Sequence, residues 1–200
     1  LENGLTVLVQ EDHRHSLAAA SLHLRAGSGD DPAGKEGLAF VAGRSLGTAS
    51  ARRPGEGAAP AGTIPTLPEV MVSRDLTEAR FLTAPADLPD ALQALAAAVD
   101  RPSIPDAVFT TLRNAARDLL DRSARDPSFV GLELFKEKVY AGHPYAHPGL
   151  GTPSGLRAIE PGDVAAFRTR HFRPDRAVLA ICGAFDTEEI TTTVRELFAS

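Results

Sequence analysis

Paired histidines are the residues of this chain whose type and spacing could do chemistry, because two imidazoles on one side of a segment can bind a metal ion. His13 and His15 are separated by one residue, which places both side chains on the same side of an extended segment. Glu11 and Asp12 precede them, which is equally typical of a solvated turn between two strands. We interpret the segment as a polar turn and keep a metal-binding edge as the alternative.

A second histidine pair, His143 and His147, has the i, i+4 spacing that brings two ligands together on a helix. Pro144 and Pro148 interrupt any helix at this point, so the two rings are not expected to face one ion. The segment is predicted to be a structural loop.

Cys182 is the only cysteine among 200 residues, which excludes an intrachain disulfide and a multi-cysteine metal site. Val178, Ala180 and Cys182 alternate along a predicted strand. We therefore expect Cys182 to be an inert thiol in the core.

Composition restricts the class of protein. A hydrophobic content of 43% suits one globular domain over residues 1–200, and no apolar run is long enough to cross a bilayer. The formal net charge is −5 without a basic stripe, which argues against a nucleic-acid partner. The chain opens at Leu1 on strand-like sequence, so a trimmed signal peptide stays compatible with it and the compartment is left open between cytoplasm and periplasm.

The elements that must position these groups follow from periodicity and capping signals. Alternating residues predict strands at 5–9, 18–24, 70–73, 79–83 and 177–182. Helices are predicted at 88–101, 103–122, 127–140 and 163–171, with a last helix capped by Asp186 and Glu189. Residues 49–68, rich in alanine, glycine and proline, are predicted to be a flexible insertion. Paired strands with helices between them indicate an α+β fold, with one mixed, largely antiparallel sheet covered by helices.

A further helix is predicted within residues 37–48. One stripe of it follows helical spacing and should be buried: Leu38, Val41, Ala42, Ser45 and Leu46. The other face carries Phe40, Gly43, Arg44 and Gly47. A phenyl ring, a glycine and a guanidinium offer no lone pair to a metal ion, so this face should not bind zinc.

Several short segments, in order along nearly the whole chain, resemble the N-terminal domain of the pitrilysin, insulinase and mitochondrial-processing-peptidase family of zinc metallopeptidases. They are residues 1–7, 25–28 followed by 37–39, 72–75, 143–145 with 151–153, 171–174, and Gly183 near 185–186. Each is weak alone, and their common order carries the resemblance.

The departure from the family lies at its inverted zinc motif, H-x-x-E-H. Phe40, Gly43 and Arg44 stand where the resemblance places the first histidine, the general-base glutamate and the second histidine. The family's third ligand, a glutamate on the long helix, aligns with Leu119, although raw spacing points near Asp121, and Asp118 is close. The resemblance thus implies that positions 40, 43, 44 and 119 form a degenerate, non-functional zinc site.

What the resemblance implies is a catalytically inactive homologue, similar to the non-catalytic subunits of bacterial heterodimers or to a non-catalytic domain fused to its active sibling. Such a subunit helps an active zinc-containing sibling to form a peptide-binding chamber, and a second similar domain is expected beyond residue 200. We expect no zinc in this chain and unfolded peptide as the substrate of the pair. Two alternatives remain: a peptidase with an unrecognised metal site built from His13, His15 or Asp118 with Asp121, and a scaffold that binds peptide or a partner by its sheet edge.

Overall fold

The fold is built on one five-stranded sheet. The computed structural model describes residues 1–48, 68–101 and 103–199, so the predicted insertion at 49–68 lies outside the described residues apart from Pro68. The strands are β1 Thr6–Glu11, β2 Ala18–Leu24, β3 Glu69–Val72, β4 Thr77–Thr83 and β5 Ala177–Gly183. Each coincides with a predicted strand to within a few residues.

The sheet has the order β1-β5-β2-β4-β3. β5 pairs parallel with β1, whereas the other three pairings are antiparallel. The predicted mixed, largely antiparallel sheet is confirmed. The central strand is β2, and β5, the last strand among the described residues, inserts between β1 and β2.

Seven helices are described. They are α1 Leu38–Arg44, α2 Leu88–Asp100, α3 Asp106–Ser123, α4 Pro127–Val139, α5 Pro153–Ala158, α6 Pro161–His171 and α7 Thr187–Phe198. Among the described residues no helix combines the length and apolar character needed to cross a bilayer.

One face of the sheet is buried under the helices and the other is open. In β5, Leu179 and Ile181 are buried, and the residues between them, Ala180 and Cys182, point to the opposite face. The same alternation runs through β2 and β4. The apolar side chains of the covered face and of the helices form one continuous core, the main source of stabilisation in a domain of this kind.

Cys182 is exposed on the open face, so its predicted place in the core is wrong. The predicted alternation of side chains along β5 is confirmed, but the buried residues are Ala177, Leu179 and Ile181. Both sets are apolar, so the pattern alone did not show which one faces the core.

A buried arginine joins three helical segments beneath the sheet. Arg168 on α6 is 1% exposed. Its guanidinium donates to Ser45 Oγ at 2.9 Å, just after α1, and to the carbonyl oxygen of Ala98 in the last turn of α2. Burial lowers its pKa to about 10, and the carbonyl end of α2 is a favourable site for its charge.

Candidate functional site

The start of α1 is fixed by a turn and by a buried carboxylate. Gly37 precedes the helix with φ of 104°, a left-handed conformation that favours glycine. Asp31 accepts hydrogen bonds from the backbone N–H of Gly37 at 2.8 Å and of Ala39 at 2.7 Å. Two of the amides that a helix leaves unpaired at its start are thereby satisfied.

The side chain of Asp31 is fully buried, and this burial raises the pKa of its carboxyl to about 6. His147 Nε2 lies 3.9 Å from Asp31 Oδ2, and its Nδ1 lies 2.9 Å from the Pro148 carbonyl oxygen. Because that carbonyl is an acceptor, Nδ1 carries a proton. The Nε2 side of His147 therefore lies next to the carboxylate that caps the start of α1.

The three predicted motif positions on α1 have different environments. Phe40 is half-buried and packs against the core. Gly43 is buried. Arg44 is exposed and donates from Nη1 to the carbonyl oxygen of Val70 on β3 at 2.9 Å. All five residues of the predicted buried stripe are buried.

The space that a side chain at position 43 would need is occupied by the sheet. A Cβ atom on Gly43 would lie 2.5 Å from Val72 Cγ2 on β3 and 3.1 Å from Thr77 Cγ2 on β4. Real side chains do not approach so closely, and Val72 is a stiff, β-branched residue. A side chain at this position would require the Val72 side chain or α1 itself to shift.

The long helix α3 offers no carboxylate on its inner side near α1. Its buried residues are Phe109, Ala116 and Leu120. Leu119 is half-buried, three residues from Ala116, whereas Asp118 and Asp121 are exposed on the outer side. Of the positions considered for a third ligand, Leu119 lies closest to the inner face.

The remaining histidines do not converge. His13 Nε2 lies 2.7 Å from Glu11 Oε1 at the surface. His143 Nδ1 accepts from the backbone N–H of Tyr145 at 3.2 Å, which caps a short 3-10 turn. Within residues 1–48, 68–101 and 103–199, no group of three or more histidine, cysteine or carboxylate side chains could hold a metal ion.

The open sheet face carries a groove that the sequence reasoning missed. Its volume is about 750 Å³, and its lining includes Leu8, Ser21, Leu82 and Cys182. Ser21 is one of its polar lining residues, together with Gln10, Glu69 and Arg80. The Ser21 hydroxyl donates to Glu78 Oε1 at 2.9 Å, and His23 Nε2 lies 3.0 Å from the same hydroxyl oxygen. In β2 and β5, the residues that alternate with the buried ones point to this face, and their small side chains form the floor of the groove. This second half of the alternating pattern was the sequence signal that could have predicted the groove.

Sequence comparison shows that the end of the chain is similar to a peptidase family. The model of the Peptidase M16 inactive domain matches residues 158–200. An uncharacterized zinc protease of Mycobacterium leprae is 31% identical over 75 residues, which are 38% of this chain and 17% of that protein. An uncharacterized zinc protease of Mycobacterium tuberculosis is 27% identical over 75 residues, again 38% of this chain and 17% of that protein. The matched part therefore spans less than a fifth of these relatives.

Solved structures share the whole fold. A putative M16-like peptidase from Alicyclobacillus acidocaldarius superimposes with a TM-score of 0.83 at 18% identity, over 100% of this chain and 48% of that one. A peptidase M16 inactive domain from Pseudomonas fluorescens gives a TM-score of 0.82 at 19% identity, over 98% and 48%. The chain thus spans about half the length of these structures. The predicted resemblance to pitrilysin-like peptidases, and to their non-catalytic domains, is confirmed.

Proposed function

We propose that this domain, with the fold of one half of a pitrilysin-like peptidase, is the non-catalytic partner of an active zinc peptidase. The observation that carries the proposal is the packing at position 43, where a Cβ atom would lie 2.5 Å from Val72 Cγ2. A glutamate there, as the general base of the family's motif, would have to displace this neighbour. The packing therefore supports the interpretation that the residue types suggest.

Zinc chemistry is assigned to the sibling. A zinc peptidase needs three protein ligands, and the metal activates a water molecule for attack on the peptide bond. Phe40, Arg44 and Leu119 supply no ligand atoms, and Gly43 supplies no base. This chain would contribute shape and binding surface.

Exposed apolar side chains support the proposal that this domain binds a partner protein. Large hydrophobic side chains on one helix are left without a cover among the described residues: Val130, Leu132, Leu134, Phe135 and Val139 of α4. Contiguous apolar surface of this kind is typical of interaction sites. The groove on the open sheet face, where Leu8 and Leu82 are exposed, has a volume of about 750 Å³, which is within the range of ligand-binding clefts. In this proposal it forms one wall of the peptide-binding chamber.

The proposal includes the whole assembly expected from the resemblance: a second similar domain beyond residue 200, a heterodimer of bacterial type, and unfolded peptide as substrate. A reading frame beside the gene for this chain that encodes an intact H-x-x-E-H motif would identify the sibling to test. Zinc would then be found in that sibling.

The test is reconstitution with the active sibling. We expect the full-length protein to co-purify with the sibling and to raise its cleavage rate on an unfolded, fluorogenic peptide at least tenfold. The control is the sibling with its motif glutamate changed to glutamine, which should bind equally and cleave nothing. Failure to bind the sibling, or binding without any change in cleavage, would contradict the proposal.

The open face also suits a second role, as a scaffold that binds peptide without a protease. The exposed side chains of Leu8, Met71 and Leu82 favour it. Peptide binding by this chain alone, with no effect on any sibling, would support this role over the first.

A further inference from the structure

The outer edge of β3 is one of the two edges of the sheet within the part of the chain that the structure describes, and β1 forms the other. An edge strand presents backbone N–H and C=O groups in a row, and these can pair with an extended peptide or with another copy of the chain. The partners of these groups on β3 therefore decide whether the sheet can be extended at this edge.

The hairpin between β3 and β4 fixes which groups point outward. The backbone N–H of Ser73 donates to the carbonyl oxygen of Leu76 at 2.8 Å, so these residues form the first bonded pair of the hairpin. Bonded and non-bonded pairs alternate in an antiparallel ladder. Val72 opposite Thr77, and Val70 opposite Ala79, are therefore non-bonded pairs, and the backbone groups of both valines point away from β4.

Arg44 forms a hydrogen bond with one of these outward-pointing backbone groups. Its Nη1 donates to the Val70 carbonyl oxygen at 2.9 Å, although the residue itself is exposed to solvent. The close packing of Gly43 on Val72 brings the end of α1 against β3. The guanidinium thus reaches the edge from a helix that is held in place by the core.

We propose that Arg44 closes the outer edge of β3 against the addition of a peptide strand. A strand added to this edge would need the Val70 carbonyl oxygen as an acceptor, and Arg44 must leave that oxygen first. Because a hydrogen bond from a charged donor is stronger than a bond between amides, the exchange is unfavourable. Arg44 therefore has a structural role in this proposal, which is to prevent strand addition at the edge of β3.

The chain provides a matched control in Arg80. This arginine lies on β4 beside the same edge strand and is also exposed, but it donates to the Glu69 carboxylate at 3.0 Å and not to the backbone. Removing Arg80 changes the local charge by the same amount as removing Arg44. It leaves the outward carbonyl of Val70 bonded.

The experiment measures binding of a fluorescein-labelled peptide of alternating threonine and valine by anisotropy, with this protein alone. We expect Arg44→Ala to bind the peptide about tenfold more tightly than the unchanged protein, and Arg80→Ala to bind within twofold of it. Arg44→Met, which keeps the aliphatic stem, should match Arg44→Ala. Hydrogen exchange should show the amides of Val70 and Val72 protected by peptide in the Arg44 variants.

Equal binding by Arg44→Ala and the unchanged protein would overturn the proposal, and so would an equal gain in Arg80→Ala, which would indicate a general charge effect. Gain of binding without protection of Val70 and Val72 would also overturn it. The inference does not rest on the proposed function, because no sibling takes part in the assay.

Discussion

Replacing Arg168 by alanine is expected to lower the free energy of unfolding by about 3 kcal/mol, the range for breaking a buried hydrogen-bonding network. The substitution leaves the Ala98 carbonyl without its donor, removes the bond to Ser45 Oγ and opens a cavity in the core. Chemical denaturation followed by circular dichroism measures the change.

Two variants separate the causes of that effect. Arg168→Met keeps most of the volume and should restore part of the loss, because its remaining defect is the missing donor. Arg170→Ala, an exposed arginine on the same helix, should stay within about 0.5 kcal/mol of the unchanged protein. A loss below about 1 kcal/mol for Arg168→Ala would contradict the assigned role of Arg168 in joining α1, α2 and α6.

Gly43→Ala should destabilise the protein by about 1–3 kcal/mol, the usual effect of overpacking. The sign is informative, because the same substitution inside a helix normally gains up to about 1 kcal/mol. The reason is the 2.5 Å approach of a Cβ at position 43 to Val72 Cγ2. Thermal and denaturant melts of the single variants and of Gly43→Ala with Val72→Ala form the test.

The control for this prediction is Gly131 on α4. A Cβ at Gly131 meets no atom within 4 Å, so Gly131→Ala should be neutral or stabilising. Gly43→Ala should be less damaging when Val72 is also alanine. A stabilising Gly43→Ala would mean that α1 does not pack on β3 as described.

This contact also changes what restoration of a zinc site requires. The three ligands and the general base need four substitutions, which are Phe40→His, Gly43→Glu, Arg44→His and Leu119→Glu. The glutamate at position 43 would still collide with Val72. We therefore expect restoration of a zinc site to need a smaller residue at position 72 as well.

The fold was predictable where local signals agree. Asp126 and Asp186 accept backbone hydrogen bonds at the starts of α4 and α7, as their positions before the helices predicted. The alternation in β2, β4 and β5 predicted the strands themselves. The parallel pairing of β1 with β5 was not predictable, since it joins residues such as Leu8 and Ala180 that are far apart in sequence.

The sequence predicts which positions form the candidate site, but it does not predict how they pack. Residue types at positions 40, 43 and 44 predict that ligand atoms are missing, whereas the contact of Arg44 with Val70 and the space taken by Val72 arise only from packing. The exposure of Cys182 belongs to the same class, because both faces of β5 carry apolar residues. Tertiary contacts decided each of these points.

Metal content tests the central claim most directly, namely that this domain is a peptidase fold without catalysis of its own. The full-length protein, incubated with zinc and dialysed at neutral pH, should retain far less than one zinc per chain by mass spectrometry of the metal, and should not hydrolyse an unfolded peptide. One zinc per chain, together with peptide cleavage that a chelator abolishes, would contradict the account.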